Sequence, residues 1–99
     1  CGEICDTCNC HVFHQYTLQI TNGKRDELHK HLLEKGIPNA IYYPVALHSQ
    51  KAYTDSRYKE EDFPVTNNLI KTVISLPMHT ELDKEQLTVI TETIRNFLK

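Results

Sequence analysis

The 99-residue chain is 39% hydrophobic and 24% charged, with a formal net charge of −2. That length allows one domain, and the balance is that of an ordinary globular fold that holds a modest core without staples. Mixed charge without a basic stripe argues against a nucleic-acid binder, and no run of about 18 apolar residues offers a membrane span.

All four cysteines, Cys1, Cys5, Cys8 and Cys10, fall in the first ten residues. A disulfide scaffold spreads its cysteines through the fold, so residues 1–10 read as a cysteine-rich linker or tail. Cys5-x-x-Cys8 with Cys10, His11 or His14 has the thiolate and imidazole chemistry of zinc. Structural zinc sites, however, join two ligand pairs across a loop, and these ligands crowd one short stretch. The reading adopted is a reduced segment with no metal. No charged start leads into an apolar stretch, so no signal peptide is visible. The chain does not begin with Met, which suits a processed form or an excised piece of a longer protein.

Residues 11–21 alternate. Val12, His14, Tyr16, Leu18 and Ile20 point one way, while Phe13, Gln15, Thr17 and Gln19 point the other, the period of a half-buried strand. Asn22-Gly23 ends it. A helix over 24–35 follows, with Asn22 as N-cap and Asp26 and Glu27 in the first turn. Leu28, Leu32 and Leu33 form its apolar stripe. His29 and His31 flank that stripe as solvated residues. Gly36 supplies the left-handed residue of a Schellman end, and Ile37 folds back onto Leu32.

Residues 36–53 are the stretch around which the chain is organised. A short apolar strand over 40–43 is halted by Pro44. The chain then emerges as a loop presenting Tyr43, His48, Lys51 and Tyr53, where functional side chains concentrate. Residues 54–62 are a polar, charged excursion. Pro64 opens a short helix to about residue 71, with Val65, Leu69 and Ile70 inward. A β-branched strand over 72–76 stops at Pro77. The last helix, 84–98, has the best-defined start. Asp83 and Gln86 form a capping-box pair, Leu82 and Leu87 a hydrophobic staple, and Leu87, Ile90, Ile94, Phe97 and Leu98 one face.

The order β-α-β-(short α)-β-α predicts an α/β two-layer sandwich with a small three-stranded sheet under helices. The three glycines lie apart from one another, so there is no phosphate-binding glycine loop. Nor do a nucleophile, a base and an oxyanion hole assemble. From physics alone the chain contributes part of a site to another body.

The motifs Arg25-Asp26-Glu27-Leu28, Gly36-Ile37, Tyr43-Pro44-x-x-Leu47-His48, Gln50-x-Ala52-Tyr53, Phe63-Pro64, Ser75-Leu76-Pro77-Met78-His79 and Leu82-x-x-x-Gln86 occur in that order. Together they resemble the C-terminal part of the DegT/DnrJ/EryC1/StrS aminotransferases, over about residues 11–98. Ala46 stands where that family often has Pro. The resemblance implies a small domain over residues 11–99 of a bacterial, cytoplasmic, homodimeric parent. That parent uses pyridoxal phosphate to transfer an amino group, usually from glutamate, to a nucleotide-linked keto sugar. The cofactor lysine, its pyridine-nitrogen partner and the phosphate ligands belong to the large domain and match nothing here. No catalytic and no cofactor-binding residue is therefore assigned, and the chain alone is expected to be inactive. Tyr43 and His48 are the implied substrate-binding residues; His79 is a weaker candidate, and Arg25 is expected to be structural. The alternative is a free-standing carbohydrate- or protein-binding module without catalysis.

Overall fold

The computed structural model describes residues 14–99. Residues 1–13, with the four cysteines, His11 and the start of the expected first strand, lie outside the described residues. The elements are β1 (Tyr16–Gln19), α1 (Arg25–Glu34), three short 3-10 turns (Leu47–Ser49, Lys51–Tyr53 and Glu60–Asp62), α2 (Pro64–Thr72), β2 (Val73–Leu76) and α3 (Lys84–Leu98).

β1 and β2 pair antiparallel, from Tyr16 opposite Leu76 to Gln19 opposite Val73. The ladder ends at the pair Tyr16–Leu76, and Pro77 follows β2 directly. His14 and Tyr16 are accordingly exposed rather than inward, while Leu18 is half-buried and Ile20 buried. Among the described residues, the other edge of β2 meets Ala40 alone. Ser75 donates its N–H to the Ala40 carbonyl at 2.8 Å and accepts from the Ala40 N–H at 3.0 Å. The expected third strand over 40–43 is thus a single bridge, and among the described residues the sheet has two strands. Pro38 and Pro44 bracket the segment, and residues 41–43 turn away before a second pair can form. The backbone bonds of Ser75 face Ala40, so its pair with Thr17 is the close, non-hydrogen-bonded kind. Their hydroxyls meet at 2.9 Å.

α1 starts two residues later than an Asn22 cap would place it. The Asn22 side chain instead accepts the Lys24 N–H at 3.1 Å, a local turn that delivers the chain to the helix. Its end follows the sequence reading. Gly36 has φ +72°, its N–H reaches the Leu33 carbonyl, and the Ile37 N–H reaches the Leu32 carbonyl at 2.9 Å. A Cβ on Gly36 would meet nothing within 4 Å. Gly36→Ala is therefore expected to cost about 1–2 kcal/mol through backbone strain alone. A urea titration reads this as a lower midpoint with an unchanged slope. α3 carries the full capping box: Gln86 N–H donates to Asp83 Oδ1 at 2.8 Å, and Asp83 N–H to Gln86 Oε1 at 3.1 Å. Asp83→Ala is expected to remove about 1 kcal/mol, measured the same way.

The core is one cluster of Ile20, Leu28, Leu32, Ile37, Ile74 and Ile94, with Leu18, Leu76, Ile90 and Phe97 against it. It lies between the two-stranded sheet and the pair α1 and α3. Three expectations about exposure change. Leu33 is exposed, because Leu28 and Leu32 alone face the core. His29 and His31 are half-buried: His29 bonds Asn39, and the His31 ring lies 5.2 Å from that of Phe97. Val65 and Leu69 of α2 are exposed. The inward face of that helix runs instead through Phe63, Asn67 and Ile70, which are half-buried at four- and three-residue spacing.

Candidate functional site

The loop 37–53 is built from its ends inward. At its entry the Asn39 side chain donates from Nδ2 to the carbonyls of Ile37 and His29, and its Oδ1 pairs with Nδ1 of His29. The extended chain is thereby tied to α1. Farther along, Ala46 is only 3% exposed; a small buried side chain there lets the loop close over the fold. Two 3-10 turns follow, closed by Ser49 N–H to the Ala46 carbonyl and Tyr53 N–H to the Gln50 carbonyl.

The outer face of this loop is aromatic and apolar. Tyr42, Tyr43, Val45, Leu47 and Tyr53 are all exposed, Tyr43 at 72%. Runs of exposed apolar side chains mark surfaces that meet something. His48 behaves differently. Its ring stacks on Phe63 with centroids 4.4 Å apart and planes 20° apart, and its Nε2 lies 2.9 Å from Oδ1 of Asn67. Asn67 in turn donates from Nδ2 to the Glu60 carbonyl at 2.6 Å. The Tyr58 ring lies tilted against Phe63, with centroids 6.0 Å apart and planes at 56°. These residues form a satellite cluster that ties the loop to α2.

Tyr43 and His48 share one loop but not one environment: Tyr43 is presented, His48 is anchored. Sequence reasoning missed the anchors. The signal was Phe63 and Asn67, four residues apart at the start of a helix and so on one face. Arg25 is structural, as expected. It is 9% exposed, donates to the Val73 carbonyl at 3.1 Å and stands 2.7 Å from Asp26. The Asp26 contact is an ion pair rather than an aligned hydrogen bond, since Arg25 Nε meets no acceptor with hydrogen-bond geometry.

In the excursion, Arg57 grips both oxygens of Asp55 and donates its backbone N–H to the same carboxylate. These bonds from Arg57 hold the Asp55 carboxyl below its usual range, and Asp55 holds the guanidinium above its own. A lowered carboxyl contributes above its unfolded value and is lost as pH falls through the folded one. Both residues are solvent-facing, so acidification is expected to release this turn without unfolding the domain. The Arg57 amide shift moves, and the core amides stay.

Two cavities, about 520 and 670 Å³, flank Pro77 and α3. His79 lines both, and neither is lined by Tyr43 or His48. Among the described residues no group of three or more His, Cys, Asp or Glu is placed to hold a metal. Every lysine is exposed. No helix among the described residues is long and apolar enough to cross a membrane.

Comparison with known proteins agrees with the motifs. The profile of the DegT/DnrJ/EryC1/StrS aminotransferase family matches residues 3–95. A pleiotropic regulatory protein of Geobacillus stearothermophilus is 43% identical over 90% of the chain, which spans 23% of that relative. UDP-N-acetyl-3-dehydro-alpha-D-glucosamine 3-aminotransferase of Acidithiobacillus ferrooxidans is 41% identical over 89% of the chain, which again spans 23% of the relative. The crystal structure of S. venezuelae DesV in complex with a ketimine intermediate superposes with a TM-score of 0.76 at 30% identity. It covers 85% of this chain, which corresponds to 22% of DesV. The chain thus spans less than a quarter of the length of these relatives, and it belongs to the DegT/DnrJ/EryC1/StrS aminotransferase family.

Proposed function

We propose that residues 11–99 are the small domain of a pyridoxal-phosphate-dependent aminotransferase that moves an amino group, from glutamate, to a nucleotide-linked keto sugar. Residues 1–10 are a linker or tail. The parent is a cytoplasmic homodimer. Tyr43 and His48 form part of the wall that faces the sugar nucleotide. The observation that carries this reading is the exposed aromatic loop itself, on a chain that matches less than a quarter of each aminotransferase relative. A relative named for amination of a UDP-linked keto sugar supplies the substrate class.

The described residues do not fit the cofactor. Bound pyridoxal phosphate supplies an electron sink for carbanion chemistry. The lysine that holds it needs a desolvated or paired amine to react at neutral pH. The lysines here are all solvated. No step is assigned to the cofactor on this chain, and the 99 residues alone are inactive. Their own work is binding. A phenol donates to or accepts from a sugar hydroxyl or a phosphate oxygen, and an imidazole nitrogen does either according to its tautomer.

The test is optical. The full-length protein is expected to carry the near-ultraviolet and visible absorbance of bound pyridoxal phosphate. The 99-residue chain mixed with the cofactor is expected to show only the spectrum of free aldehyde. A full-length protein with an intact large domain and no bound cofactor would overturn the reading. It would favour the non-catalytic binding module, which the regulatory name of one relative also favours.

A further inference from the structure

The Glu60 carbonyl oxygen can only accept. The atom of Asn67 lying 2.6 Å from it is therefore the nitrogen, Nδ2. That fixes the amide, and the atom facing His48 at 2.9 Å is the oxygen, Oδ1. An amide oxygen also only accepts. Nε2 of His48 must then carry the proton, and in the neutral ring Nδ1 is left as an acceptor. Phe63 covers one face of the same ring at 4.4 Å and restricts its rotation. Among the described residues Nδ1 has no hydrogen-bond partner.

We infer that Asn67 is a positioning residue: by way of the Glu60 carbonyl it fixes the proton of His48 on Nε2, so that in the neutral ring Nδ1 accepts from a hydroxyl of the sugar and does not bind a phosphate oxygen. The role in substrate binding rests on the proposed function; the tautomer rests on geometry alone. A neutral imidazole locked this way discriminates by chemistry. A hydroxyl can donate to Nδ1, whereas an unprotonated phosphate oxygen meets a lone pair and is repelled. The second imidazole–amide pair of the fold, His29 with Asn39, follows the same logic at the loop entry. There Nδ2 is committed to the Ile37 and His29 carbonyls, and Nδ1 of His29 must donate. The loop is thus pinned at its entry and midpoint by imidazoles of opposite tautomer, and only the midpoint ring belongs to the presented stretch.

The experiment uses full-length protein labelled with 15N-histidine. His48 is expected to show a pyrrole-type Nε2 bonded to a persistent ring proton, and a pyridine-type Nδ1. In Asn67→Ala that ring proton is lost to exchange with water. KM for the nucleotide-linked keto sugar rises about tenfold, kcat changes less than about threefold, and bound cofactor absorbance is unchanged. Inorganic pyrophosphate added to the wild type leaves the Nδ1 shift in place. A pyrrole-type Nδ1, or a Nδ1 shift that moves with pyrophosphate, overturns the inference, and both are read on the wild type even if the variant fails to fold. If His48→Ala raises KM while Asn67→Ala changes neither the ring signature nor KM, Asn67 positions nothing and the proposed function stands. If the ring signature is as expected but neither variant moves KM, the substrate-facing reading of the loop fails and the hydroxyl contact fails with it.

Discussion

His48→Ala in the full-length protein is expected to lower kcat/KM for the nucleotide-linked keto sugar about 10- to 100-fold, with the cofactor still bound. Two losses combine. One hydrogen bond to the substrate disappears, worth about 0.5–1.5 kcal/mol net. The stacked contact with Phe63 and the bond to Asn67 disappear as well, which frees the loop that presents Tyr43. An aromatic pair of this kind contributes about 0.5–1.5 kcal/mol beyond its area. Together these come to about 1–3 kcal/mol, and each 1.4 kcal/mol or so corresponds to a factor of ten in rate. No lysine or phosphate ligand is touched, so the cofactor spectrum is expected to survive. Loss of bound cofactor in this variant would mean that the loop faces the cofactor and not the sugar. Tyr43→Phe is the companion measurement. Tyr43 is exposed and outside the core, so any loss of activity with an unchanged melting temperature reports on its phenol alone.

The largest expected effect on stability is at Leu32. The side chain is fully buried, in one cluster with Leu28, Ile37, Ile74 and Ile94. Its carbonyl also accepts the Ile37 N–H that ends α1. Leu32→Ala keeps that backbone bond but leaves a cavity at the centre of the core. The expected cost is about 2–5 kcal/mol. Domains of this size hold about 5–15 kcal/mol in total. At about 4–8 °C per kcal/mol, the melting temperature should fall by about 8 °C at least. Leu33→Ala is the control one position along. That side chain is exposed, and its removal should cost less than about 1 kcal/mol. Equal losses at the two positions would show that the core has been placed on the wrong face of α1.

The sequence was most legible where local chemistry decides the structure. The bounds and capping box of α3 were readable because Asp83 and Gln86 satisfy each other's backbone without help from elsewhere. The Schellman end at Gly36 was readable for the same reason. What could not be read depends on a partner far along the chain. Alternation in residues 11–21 suggested a long strand, but β1 begins at Tyr16, where the partner strand runs into Pro77. The apolar run at 40–43 has strand propensity, yet among the described residues only Ala40 pairs, because residues 41–43 turn away from β2 between Pro38 and Pro44. Helix periodicity placed Val65 and Leu69 inward; the face of α2 was set instead by Phe63 and Asn67 reaching for His48.

The site was legible to the same degree. The motif around Tyr43 and His48 named the loop, and the fold places both residues on it. That His48 is anchored while Tyr43 is presented needed coordinates, since the anchor lies 19 residues away on another element. Many apolar side chains remain exposed, among them Tyr42, Val45, Leu47 and Leu87. Under the proposed function these meet the large domain or a second subunit.

The measurement that bears most directly on the central claim is glutamate-dependent amination of a nucleotide-linked keto sugar by the full-length protein, followed by mass spectrometry. The account predicts an amino-sugar nucleotide with glutamate consumed in equal amount, slowed by His48→Ala and absent with the 99-residue chain alone. No amination by a cofactor-loaded full-length protein across UDP- and dTDP-linked keto sugars, or turnover unaffected by His48→Ala, would contradict it.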